Sequence, residues 1–301
     1  MFHQWIKTVG LGVFLLSFYS NMAYAKIEVF TCEPEWAALV RALGGDSVKV
    51  HSATTAQQDP HHIQARPSLI AKVRRADMLV CTGAELEVGW LPLLLRKSGN
   101  SSIQPNRPGY FMAADHISLL EKPAMLDRSL GDIHAAGNPH FHFDPYRIMQ
   151  IANVLAARLI KIDSVNRDLY QQNLVTFVGE WKQAIVQWEE RAKILWGKRI
   201  VVSHNSWVYL EQWLGLIRVA TLEPKPGIAP SSRHLSKVLD QLKSNSANMI
   251  LYADYQNDKS ARWLSQKTGI PAIGLPFSVI DKEGLVQWFD RLLNQLLSAS
   301  S

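Results

Sequence analysis

The chain has 301 residues, 47% of them hydrophobic, with 32 lysines and arginines against 26 acids and a net charge of +6. That size supports one large domain or two lobes with real cores. The basic residues are scattered, as in Lys72-Val-Arg-Arg75, without a basic run interleaved with aromatics, so a solvated, mildly basic surface is expected and nucleic acid is not an expected partner.

Met1–Lys7 is short with one lysine, Val9–Ser17 is apolar, and Ala23-Tyr24-Ala25 has the small-x-small form of a cleavage site. This order reads as a secretory signal peptide over residues 1–25, and its apolar run is too short and too weakly flanked for a membrane span. No cysteine near the cut offers a point for lipid attachment. The mature protein is expected to begin near Lys26 and to be soluble outside the cytoplasm. In an oxidising compartment two cysteines favour a disulfide over free thiols. Cys32 and Cys81 each end an apolar strand-like run, so adjacent parallel strands would bring them together. Two cysteines alone cannot make a zinc–thiolate site.

After residue 25 short apolar runs alternate with amphipathic stretches. Lys26–Cys32, Val48–Ser52, Met78–Gly83 and Tyr110–Ala114 read as strands, separated by helices over Glu35–Leu43, Pro67–Ala76 and Trp90–Lys97. Such alternation argues for a parallel α/β sheet. Asp144-Pro145 starts a helix, with Asp as N-cap and Pro at the first helical position, running to about Ile162. From Asn166 to about Leu195, residues Tyr170, Asn173, Phe177, Trp181, Ala184, Trp188, Ala192 and Leu195 recur at three- and four-residue steps, one face of a long, stiff helix. The second half repeats the alternation: strands over Lys198–Ser203, Ile217–Leu222, Met249–Ala253 and Pro271–Leu275, helices over Trp207–Leu214, Ser232–Leu242, Lys259–Thr268 and Gly284–Leu297. The expected organisation is a signal peptide (1–25), an N-terminal lobe (26–164), a linking helix (165–196) and a C-terminal lobe (197–301).

The chemistry-bearing residues are histidines, of which the chain has ten. They cluster in Asp59-Pro-His61-His62, at His134, and in Asn138-Pro-His140-Phe-His142-Phe-Asp-Pro145; His204 sits where a strand gives way to a helix. The carboxyl ends of parallel strands are where open α/β sheets bind ligands. These histidines are far apart in sequence and form no local chelate, so only the fold can gather them. There is no phosphate loop, GxGxxG or G-x-S-x-G.

The flanking residues add a resemblance. Asp59-Pro-His61-His-Ile-Gln-Ala-Arg-Pro-Ser68, Asn138-Pro-His140-Phe-His-Phe-Asp-Pro145, Ser203-His204-Asn-Ser-Trp-Val-Tyr209 and Ala253-Asp254-Tyr-Gln256 resemble, in order, the four ligand segments of the zinc/manganese-binding solute receptors of ABC importers. Gly83-Ala-Glu-Leu-Glu87 is similar to a G-x-x-x-E element of that family. The resemblance implies an α/β fold of two (β/α) lobes, each with a parallel four-stranded sheet, joined by a rigid helix. It implies one metal between the lobes, held by His61 and His140 from the first and His204 and Asp254 from the second. It also implies delivery to a membrane permease without catalysis. The expected oligomeric state is a monomer.

Imidazole nitrogen suits zinc and harder oxygen donors suit manganese, so three histidines and a carboxylate point to Zn2+ as the carried ion. The same receptor class carrying manganese or iron is the nearest alternative, and an exported zinc hydrolase, with Glu85 or Glu87 as base, is a more distant one. The sequence departs from the family's zinc members in lacking a long histidine- and acid-rich loop: Arg128–Gly137 offers Asp132 and His134. His62 and His142 are expected beside the ligands or at the surface. Arg66, Trp90 and Tyr209 are expected to pack around the site.

Overall fold

Two parallel four-stranded sheets of identical strand order form the frame. The structure, a computed structural model, describes residues 25–123, 131 and 134–299. The expected signal peptide, apart from Ala25, and Asp132 lie outside the described residues. The first sheet contains β1 (Ile27–Thr31), β2 (Val48–Ser52), β3 (Met78–Cys81) and β4 (Tyr110–Met112) in the order β2-β1-β3-β4. The second contains β5 (Arg199–Val202), β6 (Ile217–Thr221), β7 (Met249–Ala253) and β8 (Ala272–Leu275) in the order β6-β5-β7-β8. Sheets covered on both faces need strands that are apolar throughout, and β3, Met-Leu-Val-Cys, is buried at every position.

The helices of the first lobe are α1 (Pro34–Gly44), α2 (Pro67–Arg75) and α3 (Leu91–Ser98), each with Pro in its first two positions, where a missing N–H costs nothing. α4 (Pro145–Ile162) is capped as expected: Asp144 accepts from the amides of Tyr146 and Arg147. α5 (Arg167–Ala192), with a short 3-10 turn to Leu195, has 26 residues and spans about 39 Å. The second lobe adds α6 (Val208–Leu214), α7 (Ser232–Ser244), α8 (Lys259–Thr268) and α9 (Leu285–Ser298).

Tyr170, Phe177, Trp181, Ala184, Trp188, Ala192 and Leu195 are buried on α5 as their periodicity predicts. Asn173, on the same face, is half-buried and donates to the Leu43 carbonyl at the end of α1 (3.0 Å), satisfying an acceptor the helix leaves open. α5 packs against α1, α4 and α9 and so joins the lobes. One continuous core takes side chains from both sheets and these inner helices, while α2–α3 and α7–α8 cover the outer sheet faces with smaller clusters.

Cys32 and Cys81 are joined by a disulfide at the ends of the adjacent strands β1 and β3. It closes a loop of sequence separation 49, which restricts the unfolded chain. Replacing both cysteines by alanine is expected to lower unfolding stability by about 2–4 kcal/mol, read from urea unfolding, with a steeper slope because the freed unfolded chain exposes more surface.

Candidate metal centre

The carboxyl ends of the eight strands face one another across the crevice between the lobes, and the singled-out histidines lie there. His61 is in the loop after β2, His140 in the segment between β4 and α4, and His204 directly after β5. Their imidazoles converge, with one nitrogen from each lying within 4.8 Å of the others. Ring centroids are 5.6 Å apart for His61–His140, 6.0 Å for His61–His204 and 5.8 Å for His140–His204.

Two of the rings are oriented by carboxylates. His61 Nδ1 lies 2.8 Å from Asp59 Oδ1, which also accepts the His61 amide at 3.0 Å. His204 Nδ1 lies 2.7 Å from Glu223 Oε2, itself fixed by the Gly227 amide at 2.9 Å. An ionised carboxylate only accepts, so each Nδ1 carries the proton and each Nε2 turns its lone pair outward. His140 differs: it is 1% exposed, and neither of its ring nitrogens has a hydrogen-bond partner among the described residues. An unsatisfied buried polar group costs about 1–3 kcal/mol, so this ring is a donor held ready at the centre of the cluster. Burial, then the neighbouring His61 and His204, holds its pKa well below the usual histidine value, keeping it neutral and able to bind a cation.

The His140 loop is tied to both lobes. Asn138 Oδ1 accepts the His140 amide (3.0 Å), and Asn138 Nδ2 donates to the Asn205 carbonyl beside His204 (2.8 Å). The Tyr209 hydroxyl donates to the Asn138 carbonyl (2.6 Å) and accepts the Leu120 amide (2.9 Å). Trp90 Nε1 donates to the Pro60 carbonyl (2.8 Å), holding the residue before His61.

Asp254 follows β7 in the same ring of strand ends but is outside the converging group of three. Its Oδ1 accepts the Phe277 amide (3.3 Å) and its Oδ2 accepts from Gln57 (3.4 Å), and burial raises its pKa. His62 is exposed. His142 is fully buried, its ring stacked on Trp288 with centroids 5.9 Å apart and its Nδ1 3.7 Å from Glu35 Oε1. Glu87, which the hydrolase reading would use as a base, is buried with its carboxylate on the Gly83 amide (3.1 Å). Sequence reasoning gave no role to Asp59, Asn138 or Glu223. Asp59 sat inside a quoted motif, but Glu223 is a lone acid after β6 with no local signal.

Two lobes of parallel sheet, a rigid helical link and a buried donor cluster between the lobes define a metal-binding solute receptor. Residues 29–299 match the family described as ZnuA, zinc-uptake complex component A, periplasmic, and the chain belongs to that family. It is 22% identical over 275 residues to the manganese ABC transporter substrate-binding lipoprotein PsaA of Streptococcus pneumoniae, covering 88% of this chain and 84% of the relative. It is 24% identical over 270 residues to the iron ABC transporter substrate-binding lipoprotein MtsA of Streptococcus pyogenes serotype M1, covering 87% and 84%. Its fold matches a zinc-bound ZnuA deletion mutant with TM-score 0.75 at 22% identity, covering 92% of this chain and 98% of that one. The protein is therefore a substrate-binding component of a metal ABC transporter, not an enzyme.

Burial also sets a pH signature. It pushes His142 down to about 3, whereas unfolded histidine titrates near 6.5. Below that value the unfolded chain takes up a proton that the fold refuses, so this residue weakens the fold as pH falls from about 6.5 towards 3. In the metal-free protein, His142→Phe is expected to gain stability relative to the parent by about 1.4 kcal/mol per pH unit between pH 6 and 4. Urea unfolding at several pH values checks this; a difference independent of pH would mean that His142 takes up its proton in the fold.

Proposed function

We propose that the protein captures Zn2+ in the periplasm and hands it to the membrane permease of an ABC importer. The observation that carries this reading is His140, a buried neutral imidazole without a hydrogen-bond partner among the described residues, facing two further imidazoles whose lone pairs are aimed by Asp59 and Glu223. Borderline nitrogen donors favour zinc over the oxygen-seeking ions, and carboxylate-oriented histidines are the usual support of such a site. His61, His140 and His204 form its core. Asp254, which follows β7, is one candidate for the fourth position.

Export is supported by the residue order at the N-terminus, by the disulfide and by the family description. Among the described residues no helix is long and apolar enough to cross a membrane. The carrier is read as a monomer. The names of PsaA and MtsA favour manganese or iron as the second reading, and a direct competition separates the two.

Calorimetric titration of the metal-stripped protein at pH 7.5 is expected to show one tight zinc site per chain. His204→Ala is expected to weaken it by more than the roughly 10–100-fold typical of losing a supporting residue. Manganese at equal concentration should not displace zinc. Weak, multiple binding indifferent to His204 would sink the site, and displacement by manganese would leave the site but change its cargo.

A further inference from the structure

The fourth position has a second candidate, a histidine in direct contact with one of the three. His134 stands in the loop between β4 and α4, and its Nε2 lies 3.3 Å from His61 Nε2. Their ring centroids are 5.4 Å apart. His134 also lines the same cavity as His140 and His204, together with Asn138 and Asn205. A zinc ion bound by nitrogens at about 2.0–2.1 Å in tetrahedral geometry sets its donors about 3.3–3.4 Å apart. The His61–His134 pair already has the length of one edge of that tetrahedron. The three histidines of the core fall within 4.8 Å of one another, and His134 joins them through His61, from the loop side of the cavity they share.

Its position is built by the first lobe. After β3 the chain turns through Gly83, Ala84 and Glu85, all with positive φ (79°, 50° and 66°). Two non-glycine residues in that region are a conformation held by the surroundings. The turn presents the Glu85 carboxylate to the Ala135 amide, which donates to it at 2.7 Å, one residue beyond His134. The Gly137 amide closes the loop on the His134 carbonyl (3.1 Å). Glu85 thus acts as a strap that holds the loop over the crevice. In the metal-free pair, His61 Nδ1 faces Asp59 and keeps its proton, so His134 Nε2–H donates to the His61 Nε2 lone pair. A cation taking the place of that proton would find both lone pairs directed at it.

We infer that His134 is the fourth metal donor, closing an all-nitrogen site from the loop side, and that Glu85 positions it. Asp254 then stays in its hydrogen bonds to Phe277 and Gln57. This inference rests on the zinc reading above. An all-imidazole set disfavours manganese, which prefers oxygen, so the loop histidine determines selectivity as well as affinity.

X-ray absorption on the zinc-loaded full chain, with zinc affinity measured by chelator competition, tests this. Four imidazoles are expected in the parent and three in His134→Ala, with affinity at least about tenfold lower. Asp254→Ala is expected to leave the count at four. Unchanged thermal unfolding of metal-free His134→Ala would show that the loss arises at the metal, and Glu85→Gln, which retains the imidazole, should lower affinity by a smaller factor. A parent that binds one zinc tightly through three imidazoles, unaltered by His134→Ala, overturns the inference and leaves the zinc reading standing. A parent that binds no zinc overturns the zinc reading itself.

Discussion

The lobes cannot part without breaking their common core, and this constraint shapes everything above it. Directly beneath the crevice, Phe143 packs on Trp207, Phe277 and Trp288 with centroids 4.7, 5.4 and 5.7 Å apart. Phe143 comes from the segment leading into α4 and the other three from the second lobe. Each aromatic ring buries about 150–250 Å², and apolar area is worth about 25 cal/mol per Å². Opening this interface would therefore cost several kcal/mol, before the Glu35–Ser278 hydrogen bond across it is broken. α5 adds a helix packed on elements of both lobes. Movement that admits or releases an ion is cheaper in the loops at the strand ends than in the lobes as bodies.

Those loops are held by polar contacts that differ in kind from the core. Asn138 reaches the Asn205 carbonyl, Gln57 reaches Asp254, and Arg218 of β6 pairs with Glu121 and Glu211. Single hydrogen bonds of this type are worth about 0.5–1.5 kcal/mol net, so they set position without locking it. Beneath them burial disfavours charge on the titratable groups. His140 and His142 are held below the usual histidine range, while Glu35 and Glu87 are pushed up to about 7. At neutral pH the two histidines are uncharged and the two carboxyls are partly protonated. The carboxylates nearest the donor histidines, Asp59 and Glu223, stand behind the imidazoles and orient them.

The sequence carried the frame because its elements are local patterns. Strands such as Met78–Cys81 are short continuous apolar runs, the face of α5 repeats every three to four residues, and the Asp144-Pro145 cap is a local two-residue signal. The histidines were visible as types in loops after strands, but their convergence is a product of strand order, which no spacing encodes. The ordered motifs supplied what spacing could not. Glu223 was missed because it is a lone acid that reaches His204 from the end of the neighbouring strand, and Asn138 because it ties the loop to Asn205 and Tyr209, residues distant in sequence. His142 was expected beside the ligands or at the surface. It is buried because Phe277, after β8, and Trp288, on α9, close over it, partners more than a hundred residues away. Nothing local to Glu85 points to its partner, the Ala135 amide, which lies in a loop that carries no periodic signal.

Metal choice is the part of the function that the fold leaves open. PsaA and MtsA are named for manganese and iron and ZnuA for zinc, yet this chain is similar to all three at 22–24% identity. A scaffold shared across those cargoes cannot itself select among them, because the strand ends only deliver side chains to a common point. Selection then falls to the chemistry of the delivered atoms. Three imidazoles already tilt the site towards zinc, and in the proposed arrangement the remaining donor decides how far. A carboxylate from the second lobe would leave one hard oxygen that manganese can use. An imidazole brought by the strapped loop of the first lobe would remove it, leaving four nitrogen donors, a set that suits zinc and not manganese.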